Sequence, residues 1–572
     1  MLRASSHSFF FLTFSICPQD IFYLSFYYRA NVALVASRYY QLAINVWPDL
    51  NYISQRALQY QQQQQQQDGI PPTNSNVITN YDDDKDLIKR IIHLETIVAN
   101  QTKEIQKLRR ELRNAGIQID ENDDDNNNNN ALHSSVDDDN VNNNTMKKKK
   151  KKEIVKRKIR LGIVSPNLAK KHSVVEDFKG TMTRLDRSKF DITYIFIQEG
   201  RNPNDNDPDP FVYEHSPRDK LLVLQQDATI DIANGAWVTR WHDTIENLQF
   251  DILFYLDLTM GGVTTRLAMS KLAPIQAVSH GHPVTSGIPS SIMDYYISWG
   301  LAELEYDIAN THYTEELKLL PTKSIHQYYT PRATRDKSLI NGENYRTLVN
   351  DAGRDKAFPT IPSTGNWYTC MQKPFKLFPE MDALICGIIQ KDNLGRVILH
   401  GAATEPQRIF TNRLLAAGCD MTRVHFLGAQ PHHQLLALYA LSDVILDSYP
   451  AGGCTTTREV LAIGKALVTL PARLLGGRWS YAYYQIMGDE ILNSLVIAKN
   501  ASEYITLAVT LGTTIDIRND VERRIKNCVP ALYEREESVK AWNEVFLDIS
   551  PVIIDENYYY STNNGAIDKD EL

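Results

Sequence analysis

In this 572-residue chain four short segments hold residue types able to do chemistry. The first is "DSYPAGGCTTTREVLAIG", Asp447 to Gly464. An apolar run precedes it and a helical pattern follows, so Gly452, Gly453, Cys454, Thr455 and Thr456 stand at a strand-to-helix transition. There free backbone N–H groups and the helix dipole form an anion site. Gly452 and Gly453 let backbone approach a phosphate, Thr455 and Thr456 add hydroxyl donors, and Glu459 lies one turn in, placed to accept from a ribose diol. A capping box at Thr456-x-x-Glu459 explains the same letters without any ligand, and spacing alone leaves the two readings level. The second segment, "CMQKPFKLFP", sets Lys376 at a strand end, where it neutralises a diphosphate or is simply solvated. The third, "SPNLAKKHSV", offers His172 as a base or a substrate contact. The fourth, "SHGHPVTSGIPSSIMDYYIS", crowds His282, Pro283, Thr285, Ser286 and Gly287 into a loop of special backbone requirements.

These segments sit in a recognisable rhythm. From Ile159 short apolar runs alternate with helical stretches ("IRLGIVS", "FDITYIFI", "KLLVLQ", "FDILFYLDL", "IQAVSHGHP", "MDYYIS"). After a polar interval the alternation restarts ("NWYTCM", "RVILHGA", "RVHFLGA", "DVILDS", "ALVTLP"). Strands separated by helices predict parallel sheets of the doubly wound α/β class, and two series predict two Rossmann-like domains facing across a cleft. Ligands in such folds bind beyond the carboxyl ends of the strands, where the four segments lie. The expected boundaries are 153–335 for the first domain, 336–362 for a connector and 363–550 for the second.

Everything upstream differs. Residues 1–60 form an apolar region that resembles a weak signal or anchor, and residues 61–152 are a low-complexity linker of Gln, Asn, Asp and Lys runs that bury too little apolar surface to fold. Inside it, Leu87, Ile91, Leu94, Val98, Ile105, Leu108 and Leu112 recur at three- and four-residue steps, predicting a dimerising coiled coil over 85–115. The tail 551–572 ends in "KDEL", an endoplasmic reticulum retention signal, while Lys147–Lys152 resembles a nuclear-localisation run; a luminal and a cytoplasmic or nuclear location both stay open. A net charge of −8 argues against a nucleic-acid partner. The six cysteines are scattered, which predicts neither a disulfide framework nor a structural zinc site. "DND" at 205–207 lies among loop breakers and is not read as a metal motif, and no 34-residue period is present.

Taken in order, "SPNLAKKHSV", "APIQAVSHGHPVTSGIPSSIMDYYIS", "YTEELKLLP", "CMQKPFKLFPEM" and "LSDVILDSYPAGGCTTTREVLAIGKALVTLP" resemble the O-GlcNAc transferase and SPINDLY-like family, glycosyltransferase family 41, over about residues 158–550. The resemblance implies a GT-B fold and a nucleotide-sugar held mainly by the second domain, with no metal or other cofactor. It implies Lys376, Thr455 and Thr456 on the donor diphosphate, with Gly453 and Cys454 beside them. Glu459 falls on the ribose, His432 near the nucleotide and His172 in the active site. Departures stand at Gly452-Gly453-Cys454, where animal relatives have Asn-Gly-His, at Leu435 in place of a histidine, and at Lys373 in place of a glutamine. The family's tetratricopeptide repeats are missing from this sequence. The expected partners are a nucleotide-sugar and a protein or peptide acceptor. The expected reaction moves GlcNAc from UDP-GlcNAc to a Ser/Thr hydroxyl. A GDP-fucose or UDP-hexose transferase acting on asparagine or a glycan, or a non-catalytic nucleotide-sugar-binding homologue dimerised by the coiled coil, is the alternative.

Overall fold

The computed structural model describes residue 40 and residues 52–67, 152–168, 172–198, 219–225, 236–258, 262–281, 284–320, 325–330, 345–401 and 405–555. The expected coiled coil over 85–115, most of the apolar region 1–60, the basic run at 147–151 and the KDEL residues lie outside them.

Strands whose two faces are both covered by helices must be apolar along their whole length. The runs read from the sequence have that property, and they form parallel sheets. In the first domain β1 (Glu153–Val155) precedes β2 (Ile159–Ser165), α1 (Ser173–Met182), β3 (Phe190–Gln198), β4 (Lys220–Gln225), β5 (Ile252–Tyr255), β6 (Ile275–Ser279), β7 (Tyr295–Trp299) and β8 (Glu316–Leu320). Seven of these strands pair in parallel in the order β4-β3-β2-β5-β6-β7-β8. The order reverses beside β2, so the loop after β2, which leads into α1, opens at the switch point.

The second domain repeats the logic on a smaller scale. It runs through β9 (Asn366–Cys370), α2 (Pro379–Lys391), β10 (Gly395–His400), α3 (Glu405–Ala416), β11 (Val424–Leu427), α4 (His432–Leu441), β12 (Val444–Leu446), α5 (Thr455–Ala462) and β13 (Leu467–Val468). The parallel order is β11-β10-β9-β12-β13, and its reversal falls at β9 and β12. The loops after those two strands carry Lys376 and the Gly/Thr segment. The architecture is a GT-B fold, two doubly wound domains with their switch points turned toward one cleft.

Three features differ from the linear reading. Residues 363–550 were expected to belong to the second domain, yet the last helix, α6 (Glu536–Ile549), packs on the first. Trp542 and Phe546 of α6 enter the core with Ile159, Phe190 and Phe254, and Trp542 Nε1 donates to the His326 carbonyl at 2.7 Å. The strand after it, β14 (Val552–Ile554), then pairs in parallel with β1. Second, the glutamine run is not wholly outside the fold, because Gln55–Gln67 is helical and its first turns dock on the first domain. Ser54 N donates to the Lys271 carbonyl at 2.7 Å, Tyr52 stacks on His242, and Arg56 joins Arg157 on the buried carboxylate of Asp251. Third, contrary to the reading of scattered cysteines, Cys386 on α2 and Cys419 after α3 are joined in a disulfide across 33 residues of sequence. Scattered spacing said nothing of a pair brought together by packing two neighbouring helices.

Candidate active site

The loop after β12 begins with Asp447, whose buried carboxylate accepts from Gly453 N at 2.8 Å and Thr469 Oγ1 at 2.8 Å. Burial pushes this carboxyl above its ordinary pKa. Gly453 is fixed by space as well as by that bond, since a Cβ there would lie 2.7 Å from Thr457 Oγ1 and 2.8 Å from Gln372 Nε2. Its N–H therefore serves Asp447, and its lack of a side chain lets the loop pack against β9's exit.

Lys376 arrives from that exit. Its Nζ donates to Gln372 Oε1 at 3.2 Å and to the Gly452 carbonyl at 3.1 Å. Both acceptors are neutral, and among the described residues no carboxylate forms an ion pair with it. Burial pulls the ammonium pKa down, opposed only through space by Cys454, Asp447 and Cys370. A cation so placed, beside the start of α5, is an incomplete electrostatic arrangement that an anion completes.

Cys454 stands at the N-cap of α5 without a capping side-chain bond, and the capping box is not formed. Glu459 turns instead to His432, whose Nε2 lies 2.8 Å from Glu459 Oε1. The carboxylate and imidazole, 27 residues apart in sequence, thus make one polar pair on facing turns of α4 and α5. Burial pushes the Cys454 thiol up to about 11, so near neutral pH it is a neutral S–H group and not a nucleophilic thiolate.

The helix α5 meets the first domain through residues that pattern reading did not single out. Arg458 pairs with Asp177 of α1, donates to Tyr483 Oη at 2.8 Å, and lies 3.6 Å above the Tyr329 ring. Thr455 Oγ1 donates to the same Asp177 carboxylate at 3.1 Å. On the same helix as Asp177, Gly180 lets α1 pack against the segment that carries Tyr329, because a Cβ there would run into the Tyr328 carbonyl. Beside these contacts a cleft of about 320 Å³, open mouth included, is lined by Glu176, Tyr329, Thr455, Arg458, Glu459 and Tyr533.

The remaining expected residues fall in other places. His172 is the N-cap of α1, where its Nδ1 accepts from Val174 N at 3.3 Å. It is half-buried and opens the same helix that carries Asp177. Thr285 and Ser286 are buried and committed to Glu315, at 2.6 Å from Thr285 Oγ1 to Oε2 and 2.8 Å from Ser286 N to Oε1. Gly287 follows at φ +76°. The hydrogen bonds of Thr285 and Ser286 stay within the first domain, and His282 and Pro283 lie outside the described residues. The structure thus groups Lys376, Gly453, Cys454 and Thr455 at one loop, with Glu459 and His432 one turn away. Thr456 is half-buried at the same helix start.

Residues 360–536 match the model of glycosyltransferase family 41. Over this stretch the chain is similar to glycosyltransferase family 41. The matched segment begins just before β9 and holds Lys376, α5 and the Glu459–His432 pair. The chain is 26% identical over 265 residues to the SPINDLY protein of Petunia hybrida, described as a probable UDP-N-acetylglucosamine–peptide N-acetylglucosaminyltransferase. The match covers 46% of this chain and 26% of that one. Against the SPINDLY protein of Arabidopsis thaliana it is 25% identical over 373 residues, 63% of this chain and 36% of the relative. The chain thus spans about a quarter to a third of these relatives' length. Among solved structures, a mutant of the Thermobaculum terrenum O-GlcNAc transferase superposes with a TM-score of 0.53 at 18% identity. It covers 73% of this chain and 71% of that one, a likeness of fold that extends through both domains.

Proposed function

We propose that the protein is a glycosyltransferase that moves GlcNAc from UDP-GlcNAc to a serine or threonine hydroxyl of a protein, without a metal ion. The observation that carries the reading is Lys376, a half-buried cation bonded to two neutral oxygens beside the start of α5. As the glycosidic bond breaks, negative charge grows on the leaving diphosphate, and a preorganised cation with helix N–H groups and the Thr455 and Thr456 hydroxyls stabilises that charge. Glu459, oriented by His432, accepts from the ribose hydroxyls. The acceptor approaches from the first domain, where His172 at the head of α1 is the candidate to orient or deprotonate its hydroxyl. The family 41 match over residues 360–536 and the descriptions of the SPINDLY relatives support the sugar and the acceptor class.

The test offers the purified protein UDP-GlcNAc, UDP-glucose and GDP-fucose and follows donor turnover. Release of UDP from UDP-GlcNAc supports the reading, and preference for GDP-fucose overturns the donor assignment. Lys376→Ala should reduce turnover by at least about a thousandfold, the size of effect seen when a preorganised charge-stabilising group is lost. Its circular dichroism and melting temperature should stay unchanged. Wild-type rates in that variant would refute the diphosphate site.

A further inference from the structure

Asp177 and Arg458 lie 281 residues apart, on α1 and α5, and both are nine-tenths buried. A buried ion pair recovers little net stability over apolar packing, because both charges must leave water. Its position is more telling. Arg458 stands in the first turn of α5, with Nη1 3.3 Å from Cys454 Sγ. The carboxylate it meets is also the acceptor of the Thr455 hydroxyl and lies 3.9 Å from that sulfur. One anion, supplied by the first domain, thus sits on the hydroxyl and the cation that the start of α5 presents.

We infer that Asp177 is a built-in stand-in for the donor's diphosphate, and that Arg458 is a further diphosphate ligand which Asp177 holds until donor arrives. The inference rests on the nucleotide site proposed above. A diphosphate at Lys376 and the α5 N-terminus meets the negative charge of Asp177 head on, so the two exclude each other. Binding exchanges one anion for the other: the diphosphate takes the Thr455 hydroxyl and the Arg458 guanidinium, whose planar fork suits phosphate oxygens, and Asp177 is released. Because Asp177 and His172 share α1, the exchange reaches the acceptor side of the cleft. After transfer, the returning Asp177 competes with the nucleoside diphosphate product and favours its departure.

The inference makes the two ends of one ion pair act in opposite directions on anion affinity. Calorimetric titration with UDP and, separately, with inorganic pyrophosphate reads this directly. Asp177→Asn should bind both about tenfold tighter, and Arg458→Met about tenfold or more weaker, the effect of one charged hydrogen bond. If Arg458 merely pins the domains together, both variants open the cleft and shift affinity in the same direction, which overturns the inference. In the wild-type protein, hydrogen exchange on adding pyrophosphate should show residues 173–182 losing protection while 455–462 gain it. Joint protection of both segments overturns the inference even where a variant fails to fold. Turnover of UDP-GlcNAc with same-direction shifts would leave the proposed function standing and remove the clasp. Opposite shifts with pyrophosphate in a protein that turns over no nucleotide-sugar would do the reverse. If neither anion binds wild type or Asp177→Asn, the inference falls.

Discussion

At the scale of single residues, chemistry is decided by which charges are answered and which are left open. Asp447 and Glu315 are carboxylates fully occupied by donors of their own domain, and they shape loops. Lys376 is different because its partners are neutral, and Glu459 because it pairs with the His432 ring while lining a cleft. The ribose contact proposed above for Glu459 would be remote from the bond that breaks. Glu459→Ala should therefore raise the donor KM about tenfold while leaving kcat within about twofold, since the lost interaction is equal in ground and transition states. His432→Ala should move KM in the same direction by less, and steady-state kinetics on varied UDP-GlcNAc checks both. A fall in kcat alone would place Glu459 at the reacting centre instead.

At the scale of elements, α6 is the piece whose location matters most. It follows the family 41 segment in sequence yet seals the first domain, with Trp542 fully buried and hydrogen-bonded to the His326 carbonyl. Trp542→Ala removes a ring packed against Phe254 and Phe546. It should cost about 3–5 kcal/mol, typical of a large aromatic removed from a core, read as a lowered midpoint in urea unfolding. A loss under about 1 kcal/mol, the range of a surface substitution, would mean that α6 is not integral to the first domain. The Cys386–Cys419 disulfide ties α2 to the end of α3 on the second domain. Closing a loop of 33 residues stabilises by about 3–4 kcal/mol in the chain-entropy account. The double Cys386→Ser, Cys419→Ser variant should melt correspondingly lower than the oxidised protein and no lower than the reduced one.

At the scale of the whole molecule, the two domains meet over aromatic rings and two buried histidines. His280 and His326 contact each other edge to face, with Trp479 of the second domain and Trp299 of the first packed around them. Burial is the first cause that lowers both histidine pKa values below their ordinary 6.5, with Arg458 disfavouring the charged rings further. The sign follows from linkage: the unfolded chain takes up protons below about pH 6.5 while the folded seam does not. Stability is fully present above that pH and lost as pH falls, by up to about 1.4 kcal/mol per pH unit for each histidine. Urea unfolding at pH 7.5, 6.5 and 5.5 should show this loss, and His280→Phe should halve its slope. A flat profile would show that the rings are not held neutral.

Some of this was written in the sequence. Continuous apolar strands separated by helical stretches can only be buried on both faces, so parallel sheets followed from local pattern. Lys376 and the "GGCTTT" loop stood at strand ends, where such folds put their chemistry. Pattern could not decide between a capping box and a phosphate cradle, because Thr456 and Glu459 have the same spacing in both; packing excludes the capping box by starting the helix at Thr455 and turning Glu459 toward His432. Nor could it place Asp177 on Arg458, α6 on the first domain, or Cys386 on Cys419. Helix and strand periodicity constrains neighbours a few residues apart. Partners 33 to 281 residues apart are fixed only when whole elements pack, and no local period reaches across that distance.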